Sequence, residues 1–275
     1  MSRETGCRWC PVALLTNLLT GNNTMKSVFT AKYRVRSYET DFLGRLKPVS
    51  LVNYFQDAAS SHAASLGFSV ADLLRDRLTW MLSRYQIRVY RYPCEREELL
   101  VRTWRSAVEG YYALRDFELI DSHERLLAVA SSSWLIVSLE SRRPVRIKTA
   151  VQDFPVHASR SFPDDFITFP KRENYERELP FQVRMGDLDQ NRHVNNAVYL
   201  DWALESTDPD ILLNYLPVEI HIAYRAEELY GGKVISRSAA LDSPGSGVFL
   251  HQLVSEGEGR ELTRLMTIWQ AREDL

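Results

Sequence analysis

Strict alternation of apolar and polar residues begins near residue 31. Ala31, Tyr33 and Val35 fall on one side and Lys32, Arg34 and Arg36 on the other, the period of a strand with one wet face. A polar connection from Ser37 to Pro48 leads to a helix-length stretch, Ser50 to about Leu66, in which Leu51, Val52, Tyr54 and Phe55 make most sides apolar. Ser50 is the expected N-cap, and Gly67 follows the end. Four strand-like runs come next, Leu82–Arg91, Leu99–Arg105, Tyr111–Ile120 and Leu126–Leu139, separated by turn signals at Tyr92-Pro93, Glu109-Gly110 and Asp121-Ser122. Residues 144–178 hold Pro144, Pro155, Pro163 and Pro170 with no sustained period, and read as a linker.

The order then repeats. A strand at Pro180–Arg184, a polar connection and a helix from about Asn196 to Ser206 precede strands at Val218–Glu227, Lys233–Leu241, Val248–Val254 and Leu262–Gln270. A shift of 148 positions lays Val35-Arg36 on Val183-Arg184, Glu39 on Asp187, Asp41 on Asp189, Tyr54 on Trp202 and Asp57 on Glu205 without a gap. One helix followed by antiparallel strands, twice, predicts an α+β chain built from two copies of a central helix wrapped by a curved sheet. The expected division is an N-terminal unit over 25–143, a linker over 144–178 and a C-terminal unit over 179–275. Residues 1–24 lack the pattern and read as an unstructured extension. Met25 is a candidate start, and a short organellar presequence is the alternative.

Composition narrows the class. In 275 residues, 45% are apolar and 25% charged, enough for a substantial core, and the net charge of −2 leaves no bulk footprint for nucleic acid. No apolar run approaches the roughly 20 residues that span a bilayer, so no membrane partner is expected. Cys7 and Cys10 form a CxxC without the second ligand pair of a zinc site, and only Cys94 accompanies them. Neither metal nor organic cofactor is implied. So few cysteines fit a reducing compartment, and a cytoplasmic location is expected.

Chemistry concentrates at Gly186-Asp187-Leu188-Asp189-Gln190-Asn191-Arg192-His193-Val194-Asn195-Asn196. Asp189, Asn191 and His193 alternate; in an extended segment all three point one way, with the outer pair about 13 Å apart. A carboxylate, an amide and an imidazole can orient water and donate to a developing oxyanion. A helix starts directly afterwards, and its first amides near Asn196 and Ala197 favour negative charge. Asx-rich segments before helices are also ordinary turns and caps. The repeat weighs against that reading for the trio, because Leu43 and Arg45 stand where Asn191 and His193 stand and only Asp41 matches. A second cluster, Tyr224-Arg225-Ala226-Glu227-Glu228-Leu229, aligns with Tyr90-Arg91 by a shift of 134, which puts Pro93 and Cys94 on Glu227 and Glu228. Two carboxylates at a strand end are a solvated surface or, in a cleft, a source of a general base.

Asp-Leu-Asp-Gln-Asn-Arg-His-Val-Asn-Asn followed by Tyr-Leu-Asp-Trp-Ala-Leu-Glu-Ser resembles the signature of the acyl-ACP thioesterases of plants and bacteria, over essentially residues 28–272. The resemblance implies a double hotdog fold, catalysis in the C-terminal half and an acyl pocket largely in the N-terminal half. It puts Asp189, Asn191 and His193 on the family's catalytic positions and Glu227 on its downstream glutamate. The plant pattern has a cysteine after that glutamate. Glu228 stands here instead, which favours direct attack by water over an acyl-enzyme.

Candidate tunnel residues are Val52, Phe55, Ala59, Trp80 and Leu82, all equally explained as core. The implied partner is acyl carrier protein, an acidic protein that the basic rows Arg84-Arg88 or Lys233-Arg237 could receive. An acyl-CoA thioesterase and a non-catalytic acyl-thioester-binding protein are the competing readings. A hydratase of this fold fits less well, since its Asp-x-Asn-Pro-x-His spacing differs. Internal duplication makes either a monomer or a homodimer acceptable.

Overall fold

The computed structural model describes residues 27–151, 153–162, 164–241 and 247–272. The CxxC pair, Met25 and the rest of the N-terminal extension lie outside those residues. In chain order the first half comprises β1 (Val28–Arg34), α1 (Pro48–Ser65), α2 (Val70–Arg75), β2 (Leu78–Val89), β3 (Glu98–Glu109), β4 (Tyr112–Asp121) and β5 (Leu126–Ser138). A short β6 (Pro144–Val145) and α3 (Ile147–Ala150) follow. The second half comprises β7 (Arg177–Gln182), α4 (Asn196–Glu205), α5 (Pro209–Asn214), β8 (Tyr215–Tyr224), β9 (Lys233–Ala240), β10 (Val248–Ser255) and β11 (Glu261–Ala271).

All the strands belong to one antiparallel sheet in the order β1-β3-β4-β5-β2-β8-β11-β10-β9-β7, with β6 beside β5. The halves meet at β2 and β8, where Arg84 pairs with Ala223, Gln86 with His221 and Arg88 with Glu219. The two central helices pack beneath this curved sheet. Phe55 on α1 and Leu200 on α4 share one core with Tyr85 and Ile220 from the seam strands. The architecture is the α+β pair of helix-and-sheet copies that the repeat predicts, and it agrees with the double hotdog that the resemblance implies.

Helix α1 begins earlier than its sequence suggests. Pro48 occupies the first turn, where a fixed φ helps and a missing N–H costs nothing, and Lys47 is the N-cap. Ser50 is therefore not the cap; its hydroxyl donates to the Glu39 carbonyl at 3.1 Å. At the other end Gly67 takes φ +76° while Phe68 N–H reaches back to Ala63 O and Gly67 N–H to Ala64 O, a Schellman stop.

The segment expected as a plain linker is more structured than that. It contributes β6 and α3 and buries two rings: Phe154 against His62 of α1 and the Arg105 and Arg115 guanidiniums, and Phe162 against Arg88 and His221. Trp104 Nε1 donates to Ser159 O at 2.7 Å and Gln86 Nε2 to Asp164 O at 2.8 Å. Buried Asp116 receives the Ser161 N–H at 3.0 Å and pairs with Arg160 at 3.3 Å, which satisfies a charge that would be costly alone.

Candidate active site

The turn before α4 is closed by the side chain of Asp189. Its Oδ1 accepts the Asn191 N–H (2.8 Å) and the His193 N–H (3.2 Å), while its own N–H donates to His193 O (2.8 Å). The alternation expected of an extended segment is thus folded into a tight loop, and the three side chains are not aligned as a strand would place them. Arg192 adopts φ +65° here, the left-handed conformation that costs a side-chain-bearing residue about 1 kcal/mol. In the first half the equivalent position is Gly44, at φ +76°.

Asn195 then caps α4, its Oδ1 accepting the Ala197 N–H at 2.9 Å and the Gln56 amide of α1 at 3.3 Å. The Ala197 amide, expected to serve an oxyanion, is consumed by this cap.

A second strip of backbone docks on the turn. His193 bridges to Leu229, and Val194 N–H donates to Glu228 O at 3.1 Å. This brings Glu227 Oε2 to 3.3 Å from His193 Nδ1, with the two side chains 46% and 33% exposed. Glu228 turns away: its Oε1 accepts the Leu229 N–H at 3.1 Å, and the side chain lies so close over Gly232 that a Cβ there would stand 2.8 Å from it.

The structural repeat in this region is offset from the alignment by letters. Tyr90 and Arg91 donate to Leu127 O as Arg225 and Ala226 donate to Leu262 O, so the shift is 135 rather than 134. Glu227 therefore matches Tyr92, and Glu228 matches Pro93 rather than Cys94.

A cavity of about 590 Å³ opens at this turn and runs into the first half. Asp189, Asn191, His193, Asn196 and Glu227 line its mouth, and Ala59, Trp80 and Leu82 line its interior. Val52 and Phe55, proposed beside them, belong instead to the solid core at 0% exposure, and Ala197 is buried outside the cavity wall. Sequence reasoning passed over Gln56, Tyr199 and Arg260, which also face the space. Tyr199 Oη accepts the Glu228 N–H at 2.9 Å and is pushed above the ordinary phenol range chiefly by burial.

Three of the four basic residues offered for a carrier are paired within the chain: Arg88 with Glu219 and Asp164, Arg237 with Glu178 and Lys233 with Glu256, while exposed Arg84 lies 6.0 Å from the Phe166 ring centroid. Among the described residues no group of three or more His, Cys, Asp and Glu side chains could hold a metal, and no helix is long and apolar enough to cross a membrane.

Comparison with known proteins places the chain in a family. Residues 26–154 match the acyl-ACP thioesterase N-terminal domain and residues 170–271 the C-terminal domain. The chain belongs to the acyl-ACP thioesterase family. As a member it is a thioester hydrolase acting on acyl-ACP. It is 26% identical over 276 residues to an oleoyl-acyl carrier protein thioesterase of Arabidopsis thaliana chloroplasts, covering 89% of this chain and 76% of that one. An acyl-[acyl-carrier-protein] hydrolase of Cuphea viscosissima chloroplasts is 27% identical over 262 residues, 89% of this chain and 63% of that length. In fold this thioesterase superposes on the 12:0-ACP thioesterase from Umbellularia californica with a TM-score of 0.81, covering 90% and 95% of the two chains at 24% identity.

Proposed function

We propose that the family's reaction, hydrolysis of a fatty acyl-ACP to free acid and carrier, takes place in this chain at the turn of Asp189–Asn196. The observation that carries this reading is the approach of His193 Nδ1 to within 3.3 Å of Glu227 Oε2 at the mouth of a largely apolar cavity. The acyl chain lies inward and the thioester stops at the mouth. Glu227 accepts a hydrogen bond from His193 Nδ1–H and so holds the neutral tautomer whose Nε2 lone pair faces a water molecule. Water attacks the thioester carbonyl, its proton passes to His193, and the carbon–sulfur bond breaks with return of that proton to the departing thiolate. Asn191, whose amide carries two donors, serves the oxyanion or holds the water. Asp189 is a positioning residue, since its Oδ1 holds the two amides that shape the turn. The Asn196 N–H remains a candidate oxyanion donor, whereas the Ala197 N–H is taken. Water as the nucleophile needs no cysteine at position 228, and Glu228 faces away from the cavity.

Acyl carrier protein is the partner we infer, with its arm delivered to the cavity mouth rather than to the basic rows. The compartment we infer is whichever holds acyl-ACP; several relatives are chloroplastic, and the cytoplasmic expectation rests on the cysteine content alone. The test is hydrolysis of matched acyl-ACP and acyl-CoA panels by wild type, His193→Ala and Glu227→Gln. Release of acid from acyl-ACP by wild type alone is the expected result. Full activity in His193→Ala would remove the site assignment, and turnover confined to acyl-CoA would replace the carrier.

A further inference from the structure

The far wall of the cavity carries two guanidinium groups. Arg105 on β3 and Arg115 on β4 stand directly opposite in the antiparallel register, line the same space and are 5% and 7% exposed. Like charges facing each other on adjacent strands destabilise a sheet, and burial strips away the water that would screen them. Elsewhere this fold neutralises its buried charge, as at Asp116 and Arg160. Here, among the described residues, no carboxylate pairs with either arginine. Arg115 Nη1 donates to Thr103 Oγ1 at 3.1 Å and lies 3.1 Å from His62 Nδ1. Arg105 Nε and Nη1 have no hydrogen-bond partner, and its guanidinium rests on the Phe154 ring, 4.5 Å from the centroid. Burial pulls both groups down to about 10, with Arg105 adding to the burden on Arg115, so both still carry charge at neutral pH.

Their place in the sheet sets how many strands separate them from β8. Strand β8 ends just before Glu227; β4 is the third strand from it and β3 the fourth. At roughly 4.8 Å per strand the wall runs about 14 Å to Arg115 and about 19 Å to Arg105. Along α1, Gln56 touches Asn195 at the mouth and His62 touches Arg115, a separation of about 9 Å of helix. The same cavity wall includes Ala59, Trp80, Leu82 and Trp134.

A plain alkyl tail reaching this wall would complete the burial of two unpaired cations. We infer that the far end of the cavity receives an anion belonging to the acyl group itself, so that the preferred substrates are acyl thioesters carrying a carboxylate remote from the thioester. The direction in which the chain lies rests on the reading of the mouth as the site of hydrolysis. A carboxylate there accepts from the free Nε and Nη1 of Arg105, a charge-assisted pair, and offsets the repulsion between the arginines. The methylene segment occupies the apolar stretch between.

The test pits ω-carboxyacyl-ACP against alkanoyl-ACP of the same length, over a series of lengths. The wild type is expected to favour the ω-carboxy substrate at least about ten-fold in kcat/KM, the effect of about 1.4 kcal/mol. Arg105→Met is expected to abolish or invert the preference, and Arg105→Lys to keep part of it. A wild-type preference for the alkanoyl substrate, or an ω-carboxy preference that survives Arg105→Met, overturns the inference.

Binding gives a readout independent of turnover. In His193→Ala protein, quenching of Trp80 and Trp134 fluorescence should show an α,ω-dicarboxylic acid binding at least ten-fold more tightly than the matched monocarboxylic acid; equal affinities overturn the inference. Tight dicarboxylate binding without hydrolysis of either thioester would support the anion pocket while removing the catalytic assignment.

Discussion

Each half of the molecule enters its central helix through a turn closed by an aspartate, and the two turns end differently. Asp41 Oδ1 receives the Leu43 and Arg45 amides just as Asp189 Oδ1 receives those of Asn191 and His193. Around the first turn, however, Leu43 and Arg45 replace the amide and the imidazole, and Tyr92 stands in the place of Glu227. Arg272, just beyond β11, then plugs the site. It pairs with Asp41 Oδ2 at 2.6 Å, donates to Leu212 O at 3.1 Å and lies 5.0 Å from the Phe42 ring centroid. What the turns share is scaffold, and what distinguishes them is the chemistry and the access. The aspartate that sequence singles out as catalytic is the member both turns keep.

The largest effect expected from this contrast is on turnover. His193→Ala and Glu227→Gln should each lower kcat/KM on acyl-ACP by about 10²–10⁴-fold, while Arg45→Ala leaves it unchanged; steady-state assays on folded protein decide this. Removing the shared aspartates comes next. Asp41→Ala and Asp189→Ala should each cost about 1–3 kcal/mol in urea unfolding, because two amides lose their acceptor. Only Asp189→Ala should also depress kcat/KM, by up to about 10²-fold, because the side chains it positions are displaced.

A smaller effect concerns the seam between the halves. His221 and then Arg88 hold the Glu219 carboxyl down at about 2 from a usual 4.5, against a partial rise from burial. A depressed carboxyl stabilises the fold above its unfolded value, and this contribution is lost as pH falls from about 4.5 towards 2. Melting temperature in that window should fall more steeply for wild type than for Glu219→Gln, by a few degrees at most. No effect at all is expected from Leu43→Asn with Arg45→His. The carboxylate partner is still missing and Arg272 still fills the turn, so kcat per chain should stay the same; a doubling would break the comparison.

Much of this was legible in the sequence because it is local. Period-2 alternation located the strands to within a few residues, and the apolar girth of Ser50–Leu66 located α1. The six-residue helices α2 and α5 are too short to show a period and were not anticipated. The offset at Glu227 arose from trusting identical letters: Tyr90 is 49% exposed while Tyr224 packs against the core, so the shared Tyr-Arg pair occupies different environments. Val52, Phe55 and Ala59 are indistinguishable by helical period, and which of them meets a void depends on strands far along the chain. The anchoring of 144–178 runs through carbonyls such as Ser159 O, which leave no mark in the letters. Arg105 and Arg115 fall in stretches read simply as strands, and only the fold reveals that both line the cavity.

The seam of β2 on β8 has one more consequence. Were the two halves separate, identical subunits, every substitution would strike both copies at once, and a change that widened one as a pocket would damage the other as a reaction centre. Threading both through a single polypeptide frees the two loci from that shared fate. On the roles proposed above, one copy carries a pair of cations for the tail of a substrate, while the other carries the centre that cuts its head. Symmetry supplied the frame, and covalent linkage allowed it to be broken.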